Sequence, residues 1–361
     1  MSRRAGIPKT VRGQAGTGLA ALCLLLTSLS ARDARAQAAR AETAEVLTEA
    51  RVIEQVTEAI DKGLEYMAGK QRPDGSWFDN NAVNALAILA FLGRGHVPER
   101  GPYRDVLERG KRYVIASQNA DGVIISKGSM YEHALATLAL AEMYGMDPDP
   151  EVEQSLRKAT DVILRAQSPN GGWRYKPQPG DHDLSVTVMQ IVALRAANNA
   201  EIPVPEATIK KAVGYVRSCA VGAGGFSYQP GQGRSPQVTA AGILSLQLLG
   251  RYADPRIPPA LTALATYPVQ WGGGGVSIFY YFHYYAIQAE YQAGGEHWRS
   301  WHPKVRQLLL THQNKDGSWD VPPGGQHETN ENVVGPDRIY PTAMACLVLE
   351  IYNHFLPAYQ R

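Results

Sequence analysis

Apolar residues fall along this chain in two alternating patterns. Val152, Leu156, Ala159, Val162, Ile163 and Ala166 recur at helical spacing with polar residues between them. That pattern predicts a helix with one face in water. The segments 82–92, 134–144, 186–197 and 240–249 are apolar nearly all round, which predicts helices buried on most sides. Asp149-Pro150 and Ser235-Pro236 place a capping residue before a proline, a helix-start signal.

The two patterns alternate because the chain repeats. The first copy runs Lys62-Gly63-Leu64-Glu65-Tyr66-Met67, Gln71, Asp74-Gly75-Ser76-Trp77. The last runs Lys304, Leu308-Leu309, Gln313, Asp316-Gly317-Ser318-Trp319. Between them lie Gln118 with Gly122 and Ile124, then Gln167 with Gly171-Gly172-Trp173. Cys219 with Gly224-Gly225-Phe226 follows, and then a degenerate fifth copy around Tyr267, Trp271 and Gly272 to Gly275. Gln71 to Gln118 is 47 residues, Gln118 to Gln167 is 49, and Gln167 to Gln313 is 146, three further periods. A period of this length marks stacked helical hairpins. Six amphipathic and six apolar helices predict an all-α fold: one closed α/α toroid, with six inner and six outer helices. The repeated Gln, Gly and Trp are read as scaffold, with Gln on free backbone groups, Gly where backbones pass closely and Trp as an apolar plug.

The pattern at 62–77 resembles the QW repeat of squalene and oxidosqualene cyclases. The same toroid occurs in class II diterpene cyclases, protein prenyltransferase β-subunits and complement thioester domains. The runs Tyr280-Tyr281 to Trp298 and Tyr340-Pro341-Thr342-Ala343 to Tyr359-Gln360 are similar to secreted bacterial squalene-cyclase-like proteins. The resemblance covers about residues 50–361. It is specific for fold and weak for activity, since one fold hosts several chemistries.

The first 36 residues stand apart. Arg3, Arg4, Lys9 and Arg12 precede an apolar run from Leu19 to Leu29 and a small-residue site at Ala34-Arg35-Ala36. This reads as an export signal, and the run is too short to span a bilayer. Residues 37–50 form a lead segment before the toroid at 51–361. The whole chain carries a net charge of +2, but residues 1–36 hold six basic residues and one acidic. The remainder, with 30 basic and 33 acidic residues, has no domain-scale basic surface, so nucleic acid is not an expected partner. Cys219 and Cys346 belong to non-neighbouring units and read as buried thiols.

Candidate chemistry gathers where the inner helices begin, because helix N-termini carry free N–H groups and partial positive charge. Asn80, Tyr131, Glu132, His133, Asp181, Asp183, Ser185, Gln237, Tyr280, Tyr281, His283, Tyr284, Arg338 and Tyr340 all fall there. Such a set at one end of an apolar bundle predicts a pocket. Tyr131, Glu132, Tyr280, His283, Tyr284, Arg338 and Tyr340 are the expected ligand-binding residues. Glu132 and His133 are expected to line an open mouth, and therefore to matter little for stability.

The resemblance adds a catalytic candidate. Class II cyclases use Asp-x-Asp-Asp-Thr, whose middle Asp protonates an alkene or epoxide. Asp181-His182-Asp183-Leu184-Ser185 keeps the first two Asp positions and departs at the third Asp and at Thr. Asp183, with Asp181 and with His133 or His182 as a partner, is the candidate acid; capping of the following helix is the competing role. No Asp-x-Cys, His-x-x-x-His or Cys-x-x-Cys spacing supports a metal, and no cofactor is expected. The expected partner is an apolar, isoprenoid-like small molecule, with a protein or peripheral membrane contact left open. Three readings follow: an exported ligand-binding toroid, an active terpenoid cyclase with Asp183 as acid, or a scaffold whose ring is filled.

Overall fold

The computed structural model describes residues 50–324, 328–330, 334–352 and 356. The expected export signal and residues 37–49 of the lead segment lie outside the described residues. Contacts divide the chain into residues 1–55 and 56–361. Of the first unit, residues 50–55 are described, and they are helical.

The second unit is built of helices. The outer series is α1 (ending at residue 70), α3 (Arg104–Ala116), α5 (Pro150–Ala166), α7 (Glu206–Ser218), α9 (Ile257–Leu264) and α11 (Gly295–Thr311). The inner series is α2 (Asn81–Gly93), α4 (Met130–Met146), α6 (Leu184–Asn199), α8 (Pro236–Leu248), α10 (Phe279–Ala293) and α12 (Ile339–Leu349). A 3-10 turn, Glu350–Tyr352, follows α12. Packing runs α2 on α4, α4 on α6, α6 on α8, α8 on α10, α10 on α12 and α12 back on α2, which closes the inner ring.

Burial follows the sequence pattern. All thirteen residues of α8 are buried, whereas α3 buries only Leu107, Gly110, Lys111 and Val114. The stripe from Val152 to Ala166 is the buried face of α5. Asp149 caps α5, its carboxylate accepting from Glu151 N–H at 2.8 Å, with Pro150 in the first turn. Ser235 stands at the α8 N-cap without a side-chain hydrogen bond.

The repeated residues staple each unit to the next. Gln71 Nε2 donates to Gly75 O at 3.0 Å within its own turn and to Val106 O at 2.8 Å on α3. Gln118 and Gln167 do the same toward Ser155 O and Thr208 O, each at 3.0 Å. Gln313 reaches back across the whole chain to Ala59 O at 2.8 Å, joining the last unit to the first. Trp77, Trp173 and Trp319 are buried, and each indole N–H donates to a carbonyl of its own outer helix: Met67, Ile163 and Leu309 at 2.7–2.8 Å. Gly75 (φ 93°) and Gly317 (φ 87°) lie directly on the carbonyls of Arg109 and Lys62, where a Cβ would collide with backbone. Positive φ and close approach together require glycine.

A second repeated contact was not legible in advance. The N–H of the plug residue donates to a side chain of the inner helix that follows. Trp77 donates to Asn84 Oδ1 (2.8 Å), Ile124 to His133 Nδ1 (3.1 Å), Trp173 to Thr187 Oγ1 (3.0 Å), Phe226 to Thr239 Oγ1 (3.0 Å) and Trp319 to Thr342 Oγ1 (3.1 Å). His133 is therefore the second unit's version of a Thr. The fifth unit departs: α9 has only eight residues, and Trp271 stacks on His312 with centroids 4.2 Å apart instead of plugging the hairpin. Both Cys219 and Cys346 are buried free thiols.

Candidate functional site: a cavity at the inner-helix N-termini

A cavity of about 690 Å³ opens among the first turns of all six inner helices. That volume lies within the range of small-molecule sites. Aliphatic wall residues include Val83, Leu86, Leu135, Met189, Val238 and Met344. Tyr131, Tyr175, Tyr228, Tyr281, Tyr284, Tyr285 and Tyr340 supply the aromatic part. Among the described residues the wall carries no Lys, Arg or His.

Two carboxylates reach the wall, and both are engaged by backbone. Glu132 accepts from Asn81 N–H (3.2 Å) at the start of α2 and from Ser126 N–H (2.8 Å), Ser126 Oγ (2.6 Å) and Lys127 N–H (3.2 Å). It ties the N-terminus of one inner helix to the turn before the next, so it is a buried cap and not an open-mouth residue. Glu328 Oε1 accepts from Tyr281 N–H at 3.0 Å and from Tyr340 Oη at 2.9 Å, and burial raises its pKa above the usual carboxyl value.

Tyrosine hydroxyls link different units across the mouth. Tyr131 Oη bonds Ser185 Oγ, Tyr175 Oη and Tyr228 Oη lie 2.6 Å apart, and Tyr285 Oη meets Met189 Sδ at 2.6 Å. Burial holds the Tyr131, Tyr281 and Tyr340 phenols well above their ordinary pKa, so they stay neutral.

The structure brings four of the expected ligand residues to the wall: Tyr131, Glu132, Tyr284 and Tyr340. Three others lie elsewhere. Tyr280 is buried and donates to Asp320 O at 2.8 Å. His283 packs among Phe279, Phe282 and Trp301, and burial lowers its pKa to about 3. Arg338 turns outward to Asp316 (3.1 Å) and Asp320 (3.6 Å). Helix geometry explains the split, because adjacent residues of one turn point about 100° apart.

The three catalytic candidates are off the wall. Asp181 is exposed and ion-paired with Arg174. His133 is buried with both ring nitrogens engaged, accepting from Ile124 N–H and donating to Ala159 O at 2.9 Å; burial lowers its pKa to about 4. No contact joins it to Asp183 among the described hydrogen bonds, which corrects the expected pairing. Asp183 is wholly buried and caps α6: Oδ1 accepts from Val186 N–H at 2.9 Å and Ser185 Oγ at 2.6 Å, and Oδ2 stands 3.4 Å from Arg174 Nε. It reaches the cavity wall through Ser185 and through the Tyr228 hydroxyl.

Tyr175, Tyr228 and Glu328 escaped the sequence reading. For the two tyrosines a signal existed, since each lies two residues past its plug, Trp173 or Phe226. For Glu328 there was none, because it sits in a long connection outside any repeat position.

No protein-family model matches the chain. It is similar to drimenyl diphosphate synthase of Streptomyces showdoensis, 29% identical over 164 residues, covering 41% of this chain and 30% of that protein. It is also similar to lanosterol synthase erg7A of Aspergillus fumigatus, 27% identical over 136 residues, covering 33% and 17%. The chain spans less than a third of the length of these curated relatives. Among solved structures, the type II terpene cyclase MstE from Scytonema, determined with its substrate geranylgeranyl dihydroxybenzoate, superposes with TM-score 0.57 at 14% identity, over 85% of this chain and 99% of that one. Cellobiose 2-epimerase from Spirochaeta thermophila superposes with TM-score 0.61 at 14% identity, over 82% and 96%. The chain has the α/α-toroid fold of these solved structures and is similar in sequence to terpene cyclases over part of its length.

Proposed function

We propose that this chain is an exported toroid that binds an uncharged, isoprenoid-like ligand in the mouth cavity. The observation that carries this reading is the wall itself, aromatic and aliphatic and free of cationic side chains among the described residues. Apolar surface buried there stabilises a hydrocarbon chain, and tyrosine faces add directional contacts. A diphosphate would have to shed its water beside Glu132 and Glu328 with no countercharge, at a large desolvation cost. A filled ring would lack this cavity, so the wholly structural reading loses its premise. The solved cyclase carrying a geranylgeranyl substrate supports an isoprenoid over a sugar, although a sugar epimerase shares the fold. Export rests on the basic-then-apolar pattern of residues 3–36.

Calorimetric titration of residues 39–361 with geranylgeraniol and with geranylgeranyl diphosphate tests this. The alcohol is expected to bind at least tenfold more tightly. Equal or tighter binding of the diphosphate, or no binding of either, overturns the reading.

A further inference from the structure

A bar of two tyrosines crosses the mouth. Tyr281 Oη comes within 3.5 Å of Ser185 O, and one turn further on Tyr285 Oη lies 2.6 Å from Met189 Sδ. The two rings pack edge to face with centroids 4.7 Å apart. Both reach from α10 to α6, which are not neighbours in the ring, since α8 packs between them. The pair therefore sets the start of α8 apart from α2, α4 and α12 within one cavity. The two sides differ in chemistry. On the α2, α4 and α12 side the wall is aliphatic at Val83, Leu86, Leu135 and Met344. Both wall carboxylates also stand there, Glu132 on α4 and Glu328 between α10 and α12. The α8 side carries Ser235, Gln237 and Ser277, and no ionisable group among the described residues.

The start of α8 also has hydrogen bonds to give. Side-chain oxygens of Asn80, Ser129, Asp183 and Glu328 take first-turn N–H groups of α2, α4, α6 and α10. Helix α8 has no such cap, and among the described residues nothing accepts from the N–H of Gln237 or Val238. Helix α12 is uncapped as well, but Pro341 stands where α8 has Val238, so one of its donors is missing. A second observation points to the same place. Gln237 lines the wall although it is only 8% exposed. Its Nε2 donates to Ser277 Oγ at 3.1 Å, and its Oε1 accepts no hydrogen bond among the described residues. Polar groups so placed are normally paired with protein, water or a ligand.

We propose that the α8 side is a head-group subsite for a neutral hydroxyl, which accepts from the free first-turn N–H groups of α8 and donates to Gln237 Oε1. The hydrocarbon chain passes the Tyr281–Tyr285 bar and lies against Val83, Leu86, Leu135 and Met344. The proposal rests on the binding reading above and adds to it which end of the ligand faces which helix. A hydroxyl both accepts and donates, as this place requires, and the α8 dipole favours its oxygen. An ether or carbonyl oxygen only accepts, and leaves Gln237 Oε1 unpaired. A carboxylate or phosphate would set negative charge against that oxygen, with no cationic side chain on the described wall to offset it.

Geranylgeraniol and its methyl ether share a chain and differ in the donor. Both are titrated calorimetrically into the wild-type protein and into Gln237→Leu. Wild type is expected to bind the alcohol about tenfold or more tightly than the ether, because the ether strands a buried acceptor. In Gln237→Leu the preference is expected to vanish: alcohol affinity falls about tenfold and ether affinity stays within about threefold. A variant damaged in its fold would lose both ligands alike. The position is read independently on wild type, with a geranylgeraniol analogue carrying a diazirine beside the hydroxyl. After photolysis, peptide mass spectrometry is expected to find the label within residues 235–238 or 277–278. Label confined to α2, α4 or α12 overturns the subsite, whether or not Gln237→Leu folds. A preference for the alcohol that survives Gln237→Leu overturns it too. Equal binding of alcohol and ether by wild type overturns the subsite and leaves the binding reading standing. Failure of wild type to bind either compound overturns the binding reading, and the subsite with it.

Discussion

The ring has two belts, and they obey opposite rules. In the turns that join outer to inner helices, Gln71, Gln118, Gln167 and Gln313 make the same pair of hydrogen bonds in four units, and the plug N–H finds the same inner-helix acceptor in five. Where the first turns of the inner helices face the cavity, the units diverge: Asn80, Tyr131, Ser185, Gln237, Tyr281 and Tyr340 line it, with tyrosine in three units and shorter polar side chains in the others. A closed ring favours joints that are alike, and it tolerates one that departs, as the fifth unit shows. A ligand needs the wall to differ around its circumference. Periodicity therefore marks the scaffold and its loss marks the site. His133 shows how the rule corrects a plausible guess, since a histidine among polar neighbours suggests chemistry while its repeat equivalents Thr187, Thr239 and Thr342 reveal a structural acceptor.

The contrast can be broken from the belt side first. Trp319→Ala or Trp77→Ala empties a plug and is expected to cost about 3–5 kcal/mol, read by denaturant unfolding. Loss of less than about 1 kcal/mol in both would remove the plug from the scaffold. His133→Ala comes next, at about 2–4 kcal/mol, because it strands Ile124 N–H and Ala159 O in the interior. A His133→Ala protein that melts like wild type and loses ligand binding would return this residue to the site. Gly317→Ala is expected to cost about 2–3 kcal/mol, from positive φ and from contact with the Lys62 carbonyl at the joint that closes the ring.

A smaller effect lies at the other end of the inner helices. Burial pushes the Glu290 carboxyl up to about 7, from 4.5. A carboxyl raised in the folded state contributes stability below about 4.5, which is lost as pH rises through 7. Glu290→Gln is therefore expected to gain on wild type in melting temperature between pH 5 and pH 8. A constant difference across that range would contradict the assignment. His133 works in the opposite sense, for its folded value of about 4 removes stability as pH falls below 6.5. The smallest stability effect belongs to the mouth. Leu135→Trp adds volume to an open cavity and is expected to change stability by no more than about 1 kcal/mol.

Much of this was legible from residue spacing. Helix count, inner and outer character, ring closure and the end of the ring that holds the cavity all follow from a period of about 49 residues and from where apolar residues stand within it. What could not be read is rotational. Tyr280 and Tyr281 are neighbours, yet one supports Asp320 and the other walls the cavity, and only the packing of α10 decides which. Tyr175 and Tyr228 lie in loops whose course depends on both flanking hairpins. Glu328 arrives from a connection with no periodic counterpart. The sequence marks Asp183 as a polar residue at a helix start, but its burial behind Ser185 depends on α4 and α6 packing side by side.

The most direct measurement pairs the two belts in one experiment. Trp319→Ala and Leu135→Trp are each melted and each titrated with geranylgeraniol at a temperature where both remain folded. Melting should collapse in the first while its folded fraction still binds, and the second should melt like wild type with binding weakened at least tenfold. Geranylgeraniol binding that survives Leu135→Trp unchanged would contradict the placement of the ligand in the mouth of the ring.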